Sequence, residues 1–136
     1  SLNKPIQITD PNMTRFWISL QQAVQFVIDS FDSMRGGELY VPRIPSVRLM
    51  DLVEAIAPNH PTEELGIRPG EKLHEEMIGI DDGHRTLRLN NRFIVVPTIS
   101  DWGFGPVEGE PVERGFVYRS DTNEEWLSVA DLRKVI

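Results

Sequence analysis

The chain has 136 residues, 14 Lys+Arg against 21 Asp+Glu, a formal charge of −7, 40% apolar residues and no cysteine. That length fits one domain that buries roughly two-thirds of its unfolded surface, and it excludes two full-sized lobes. The absence of cysteine excludes disulfides, thiol catalysis and thiolate metal sites and suits a reducing cytoplasm, while the acidic balance argues against nucleic-acid binding.

Taken in chain order, Ser1-Leu2 in place of a methionine reads as a cloning remnant, with residues 3–136 an internal fragment. Residues 5–18 read as extended, with Ile6 and Ile8 alternating with Gln7 and Thr9 before an Asp10-Pro11-Asn12 turn. Ser19 and Gln22 form a Ser-x-x-Gln capping box for a helix whose Leu20, Ala23, Val24, Val27, Ile28, Phe31 and Met34 recur at helical spacing. Gly36-Gly37 is expected to end it with a left-handed cap. Residues 38–41 predict a short strand stopped by Pro42, and Arg43-Ile44-Pro45 a stiff turn. Ser46 is expected to cap a second helix, striped by Leu49, Leu52, Val53 and Ile56 and stopped by Pro58. Residues 62–67 read as extended, Pro69-Gly70 as a turn and 71–78 as a short helix. Strands at 86–89 and 93–96 flank an Asn90-Asn91-Arg92 hairpin loop.

The stretch 98–115 carries Gly103, Gly105, Pro106, Gly109, Pro111 and Gly115 and predicts an irregular or mobile segment. A last strand near 116–118 precedes a loop at 120–123, and Ser128 with Asp131 starts a terminal helix. The pattern is α+β, without a regular βαβ repeat. No apolar run approaches the ~20 residues that cross a bilayer, and no signal peptide opens the chain.

Most motifs of self-sufficient catalysis are missing. Gly103-Phe104-Gly105 lacks the third glycine and the preceding strand of a dinucleotide turn, and no Walker-type Gly-Lys-Ser/Thr occurs. His60, His74 and His84 are scattered, and His74-Glu75-Glu76-Met77-Ile78 has Ile78 where a zinc-protease motif needs its second histidine. Asp81-Asp82-Gly83 lacks the alternating oxygen ligands of a calcium loop and reads as a turn. No Gly-x-Ser-x-Gly elbow is present, and neither Tyr40 nor Tyr118 has a lysine four residues on. No residue of the chain is assigned a catalytic, cofactor-binding or metal-ligating role.

Two segments stand out. Met13-Thr14-Arg15-Phe16-Trp17-Ile18 sets a cation beside aromatics; Gly66-Ile67-Arg68-Pro69-Gly70-Glu71-Lys72-Leu73-His74-Glu75 sets an arginine before a rigid turn, with a carboxylate three residues on. A guanidinium holds two phosphate oxygens through paired hydrogen bonds, and a carboxylate accepts from sugar hydroxyls. On spacing alone the alternative stays open: exposed loop arginines, with the aromatic pair in the core.

These segments resemble a known family. Ile8 through Ile18, Gly37-Glu38-Leu39-Tyr40-Val41-Pro42-Arg43-Ile44-Pro45-Ser46, Gly66 through Ile78, and Asn123-Glu124-Glu125-Trp126-Leu127-Ser128-Val129 resemble the C-terminal part of inverting UDP-N-acetylglucosamine 4,6-dehydratases. Trp17 and Pro69 place the likeness with the branch that begins pseudaminic acid synthesis for flagellin glycosylation, rather than with capsule-type relatives. The resemblance implies an extended short-chain dehydrogenase/reductase. Its N-terminal Rossmann lobe, absent from this chain, would hold NADP and the catalytic residues; its C-terminal substrate-binding lobe would hold the UDP-sugar. Carried over residue by residue, Arg15 and Arg68 would contact the pyrophosphate and Glu71 the ribose. Arg43 aligns less securely and reads as a turn or outer-shell charge; Phe16 and Trp17 read as core or seam residues; His74, Glu75 and Glu76 are placed on the short helix without chemistry.

The resemblance further implies partners and a compartment: a UDP-sugar substrate, the Rossmann lobe and a homo-oligomer, in the cytoplasm and away from membrane and nucleic acid. The isolated chain is expected to lack dehydratase activity. Two other readings stand beside it, an acidic protein-interaction domain with structural arginines and a nucleotide-sugar sensor without chemistry.

Overall fold

The computed structural model describes residues 4–98 and 107–136. Strand β1 (Ile6–Ile8) leads into β2 (Thr14–Phe16) through the expected turn at Asp10. There the Asn12 N–H donates to Asp10 Oδ1 at 2.7 Å and the Met13 N–H to the Asp10 carbonyl at 3.2 Å, the local side-chain acceptance that makes aspartate a turn residue. Helix α1 (Leu20–Ser33) starts on the reciprocal Ser19–Gln22 capping box. It ends at Met34 in an extended conformation, before Gly36 and Gly37 (φ 118° and 84°). The glycines expected to cap the helix therefore shape the turn into β3 (Leu39–Pro42), where the Glu38 carboxylate accepts from the Gly36 N–H at 2.7 Å.

The second expected cap is corrected. Ser46 opens strand β4 (Ser46–Arg48), and Arg48 occupies the cap position of α2 (Leu49–Ile56) without a side-chain bond. Distant partners draw Ser46 into the strand. Its N–H donates to Glu125 O and its carbonyl accepts from the Leu127 N–H, both at 2.9 Å, and its buried Oγ accepts from Asn123 Nδ2 at 3.0 Å.

Beyond β5 (Thr62–Glu64) the helix expected over 71–78 does not form: residues 71–75 run irregularly into β6 (Glu76–Ile78). Asp81-Asp82-Gly83, read as a turn, lies in a single helical turn, α3 (Ile80–Gly83). The hairpin of β7 (Thr86–Arg88) and β8 (Arg92–Val95) forms as expected. Of the segment read as irregular or mobile, residues 99–106 lie outside the described residues, and its later part contributes β9 (Glu110–Pro111) to β7. Then come β10 (Tyr118–Arg119) and α4 (Val129–Val135), which opens on the Ser128–Asp131 capping box.

The chain divides into two compact units. One contains Pro45–Glu75, Arg119–Ile136 and the chain up to Trp17. In it β1 pairs in parallel with β5, β2 pairs antiparallel with β4, and α2 packs on α4. Ile8, Met13, Val47 and Leu132 are its buried apolar residues. The other contains Ile18–Ile44 and Glu76–Tyr118, around an antiparallel sheet in the order β3-β8-β7-β9. All four residues of β8 are buried, and Phe93 packs its ring 5.1 Å from Phe116 and 4.8 Å from Tyr118. The Tyr118 hydroxyl donates to the Ile44 carbonyl and accepts the Ile44 N–H, each at 3.0 Å, so a buried phenol keeps both partners. Helix α1 leaves Leu20, Val24, Val27, Ile28 and Phe31 exposed within this unit.

Candidate functional site

The two arginine segments meet in the first unit, along the edges of β2. One edge faces β4 in the register Thr14↔Arg48, Arg15↔Val47, Phe16↔Ser46. Along the other runs the segment after the Pro-Gly turn: the Thr14 N–H donates to Leu73 O at 3.1 Å, and the Phe16 N–H to Glu75 Oε2 at 2.8 Å. Alternate N–H groups of a strand point to opposite edges, so a three-residue strand serves both neighbours.

Arg15 fastens the same junction with its side chain. Its Nη1 donates to Thr14 O (2.6 Å) and Leu73 O (3.1 Å), its Nη2 donates to Lys72 O (2.9 Å), and its Nε lies 3.9 Å from Glu75 Oε1. A planar guanidinium spreads donors in a fixed fork, and here that fork bridges two consecutive carbonyls. The sequence motif reads Arg15 as an anion ligand; in the structure much of its donor capacity holds the neighbouring segment.

Arg68 is placed differently. It opens a four-residue turn in which the Glu71 N–H donates to Arg68 O at 3.0 Å and Gly70 takes φ 87°. Proline second and a glycine of positive φ third is the pattern of a type II turn. A carboxylate oxygen of Glu71 closes it from the other side by accepting the Arg68 N–H at 3.0 Å. Both residues are exposed, and among the described residues the Arg68 guanidinium has no hydrogen bond or ion pair. The turn thus holds its backbone closed while, among the described residues, its guanidinium stays without a partner. Arg15 and the Arg68–Glu71 turn are brought to one edge of one unit. Arg43 belongs to the other unit, where its Nη1 donates to Leu89 O at 2.9 Å and its guanidinium lies 5.6 Å from the Phe93 ring. Phe16 and Trp17 are half-buried.

Sequence reasoning missed the groups that anchor the end of this segment. His74 Nδ1 and Thr14 Oγ1 are 2.7 Å apart, and Thr14 Oγ1 lies 2.7 Å from Ser120 Oγ. Ser120 Oγ accepts the Glu75 N–H at 2.9 Å, and the Ser120 N–H donates to Glu75 O at 2.8 Å. On its far side His74 Nε2 is 3.8 Å from Asp121 Oδ2, and Arg119 holds that carboxylate through Nε and Nη2 at 3.0 and 2.9 Å. Hydroxyl, imidazole and carboxylate are the ingredients of a nucleophilic triad. Thr14 is only 6% exposed, however, and its oxygen bonds both His74 and Ser120, so no substrate carbonyl can reach it. The string binds the fold together. Nothing in the sequence marks Ser120, which lies 106 residues from Thr14.

Among the described residues no group of three or more His, Asp or Glu could hold a metal ion, and no helix is long and apolar enough to cross a membrane. The site offers guanidinium donors and a carboxylate on a rigid turn. A guanidinium can pair with an anion's oxygens, and a carboxylate can accept from hydroxyls.

Residues 1–97 match the family described as polysaccharide biosynthesis protein. The chain belongs to that family. Two strains of Campylobacter jejuni each have a UDP-N-acetylglucosamine 4,6-dehydratase (inverting) that is 43% identical over 98% of this chain. The chain spans 42% of the length of those curated relatives. Among solved structures, the X-ray structure of Pen from Bacillus thuringiensis matches with a TM-score of 0.79 and 29% identity, over 97% of this chain and 39% of that one. The mixture of short helices and strands described above is thus a fold already seen in a longer protein.

Proposed function

We propose that this polysaccharide biosynthesis chain is the nucleotide-sugar-binding, C-terminal part of a UDP-N-acetylglucosamine 4,6-dehydratase that inverts C5. On this reading it is the substrate lobe of an extended short-chain dehydrogenase/reductase and acts in the cytoplasm in pseudaminic acid synthesis for flagellin glycosylation. The observation that carries the reading is the Arg68–Glu71 turn. It presents a guanidinium that has no partner among the described residues, beside a carboxylate, on a segment fastened to β2. The 43% identity to the two inverting dehydratases supports the choice of UDP-N-acetylglucosamine over other sugar nucleotides.

Arg68 binds the diphosphate and Glu71 accepts from the ribose, the carboxylate turning from the Arg68 backbone N–H to the ligand. Arg15 completes the anion site with donor capacity beyond that spent on Thr14, Lys72 and Leu73. Binding energy from the UDP portion, remote from the reacting carbons, holds the hexose in place for groups elsewhere.

The residues of this chain do not fit NADP. The sequence has no Gly-x-Gly-x-x-Gly turn, and on this reading the N-terminal Rossmann lobe of the parent holds the cofactor and the catalytic residues. The full-length protein, a homo-oligomer on this reading, supplies both.

The test is product analysis by NMR. The full-length protein with UDP-N-acetylglucosamine and NADP yields a 4-keto-6-deoxy sugar inverted at C5, and this chain alone yields none. Unchanged substrate with the full-length protein contradicts the assignment, and turnover by the chain alone contradicts the division of labour.

A further inference from the structure

The geometry points to His74 as a positioning residue for the Arg68–Glu71 turn, held as the Nε2–H tautomer by a directional chain of hydroxyls. This rests on the reading of that turn as the nucleotide-sugar segment; the tautomer itself does not.

The direction follows from counting hydrogens. Ser120 is fully buried, and its side-chain oxygen has two partners, the Glu75 N–H and Thr14 Oγ1. The Glu75 N–H can only donate, so the single Ser120 hydrogen must find an acceptor elsewhere. Among the described residues Thr14 Oγ1 is the one within reach, at 2.7 Å. Thr14 then receives from Ser120 and gives its own hydrogen to His74 Nδ1, also at 2.7 Å. In the reverse arrangement His74 donates to Thr14 and Thr14 to Ser120. The Ser120 hydrogen then points at nothing in a site closed to water, a cost comparable to that of any buried donor without a partner. The forward arrangement leaves Nδ1 bare and puts the ring hydrogen on Nε2. A second observation agrees. Nε2 faces the Asp121 carboxylate at 3.8 Å, where a hydrogen is favoured and a lone pair is not. Arg119 fixes that carboxylate from its other side.

The consequence reaches the ligand turn through the chain itself. Arg15 grips Lys72 and Leu73, the His74 ring bonds to Thr14, and the Glu75 backbone is paired through both its N–H and its carbonyl to Ser120. His74 is three residues beyond Glu71, and among the described residues it is the only side chain of 72–75 bonded to a buried partner side chain. Removing its acceptor strands the Thr14 hydroxyl, loosens the end of the segment and lets the turn drift. The ring touches neither the diphosphate nor the ribose on this account, so it positions and does not catalyse.

The test uses the full-length protein with histidine labelled at both ring nitrogens, alongside His74→Leu and His74→Asn. An asparagine Oδ1 occupies the place of Nδ1 and accepts without a ring. The expected results are a bare Nδ1 and a protonated Nε2 for the signal lost on substitution, UDP affinity reduced about tenfold in His74→Leu, and affinity within about twofold of the parent in His74→Asn. A proton on Nδ1 overturns the relay, as does His74→Asn binding as weakly as His74→Leu, or His74→Leu binding as the parent does. Should His74→Leu fail to fold, the tautomer and the His74→Asn affinity decide. Arg68→Ala measured in parallel separates the two readings. Lost affinity there with none lost in His74→Leu overturns the role of His74 alone, and retained affinity in Arg68→Ala overturns the UDP reading.

Discussion

Replacing Arg15 with alanine removes two long-range donations, to Lys72 O at 2.9 Å and Leu73 O at 3.1 Å, and a local one to Thr14 O. A hydrogen bond to a charged group is worth about 1.5–3 kcal/mol when well buried. The Arg15 side chain is 34% exposed, so water replaces part of what is lost. The net destabilisation is then about 1–2 kcal/mol, since the Leu73 carbonyl keeps its bond from the Thr14 N–H. Arg15→Lys, with one ammonium in place of the fork, recovers about half. Urea denaturation followed by tryptophan fluorescence measures the change as a shifted midpoint at constant slope. Arg68→Ala is the control: its guanidinium has no partner among the described residues, so its stability change stays within about 0.5 kcal/mol. Equal stability of Arg15→Ala and the parent refutes the reasoning, as does a larger loss in Arg68→Ala.

Three further substitutions probe other parts of the fold. Gly83→Ala places a Cβ 2.7 Å from the Phe116 carbonyl oxygen, a backbone atom that cannot swing away, so calorimetry should show a lower Tm and a loss of about 1–3 kcal/mol; an unchanged Tm contradicts the close approach. The Asp131 carboxyl is held below its ordinary value, first by the Ser128 hydroxyl and then by the Ser128 backbone N–H. Its folded pKa therefore lies below the unfolded one, and the cap stabilises α4 above the unfolded pKa and is lost as pH falls through the folded one. An NMR titration of Asp131 should give a low midpoint that rises in Ser128→Ala, and an identical midpoint in that variant refutes the cause. Val27→Lys interrupts the exposed apolar stripe of α1, so binding of an apolar dye should fall while helicity is kept; unchanged dye binding shows that the stripe is covered in solution.

Both capping boxes, the Asp10 turn and the β7–β8 hairpin were legible because each is decided by residues within a few positions of one another. Ser46 and the 71–78 segment were not, because distant partners decide them. Asn123, 77 residues away, accounts for the side chain of Ser46, and Thr14 and Ser120 account for the path of Leu73–Glu75. A serine before an apolar stripe has the local pattern of a cap whether or not a tail later claims it as a strand. The same limit applies to the site. The Arg-Pro-Gly-Glu turn was readable, since proline and glycine fix it locally. The carbonyl-bridging work of Arg15 was not, because a flanked arginine looks alike whether its donors meet phosphate or backbone.

The central claim is that Arg68 meets the diphosphate of a UDP-sugar, and calorimetric titration of UDP into the full-length protein and its Arg68→Ala variant tests it most directly. The account predicts that UDP binds and that the variant loses about 1.5–3 kcal/mol, roughly ten- to hundredfold in Kd, at unchanged stability. Equal UDP affinity in the two proteins would contradict it.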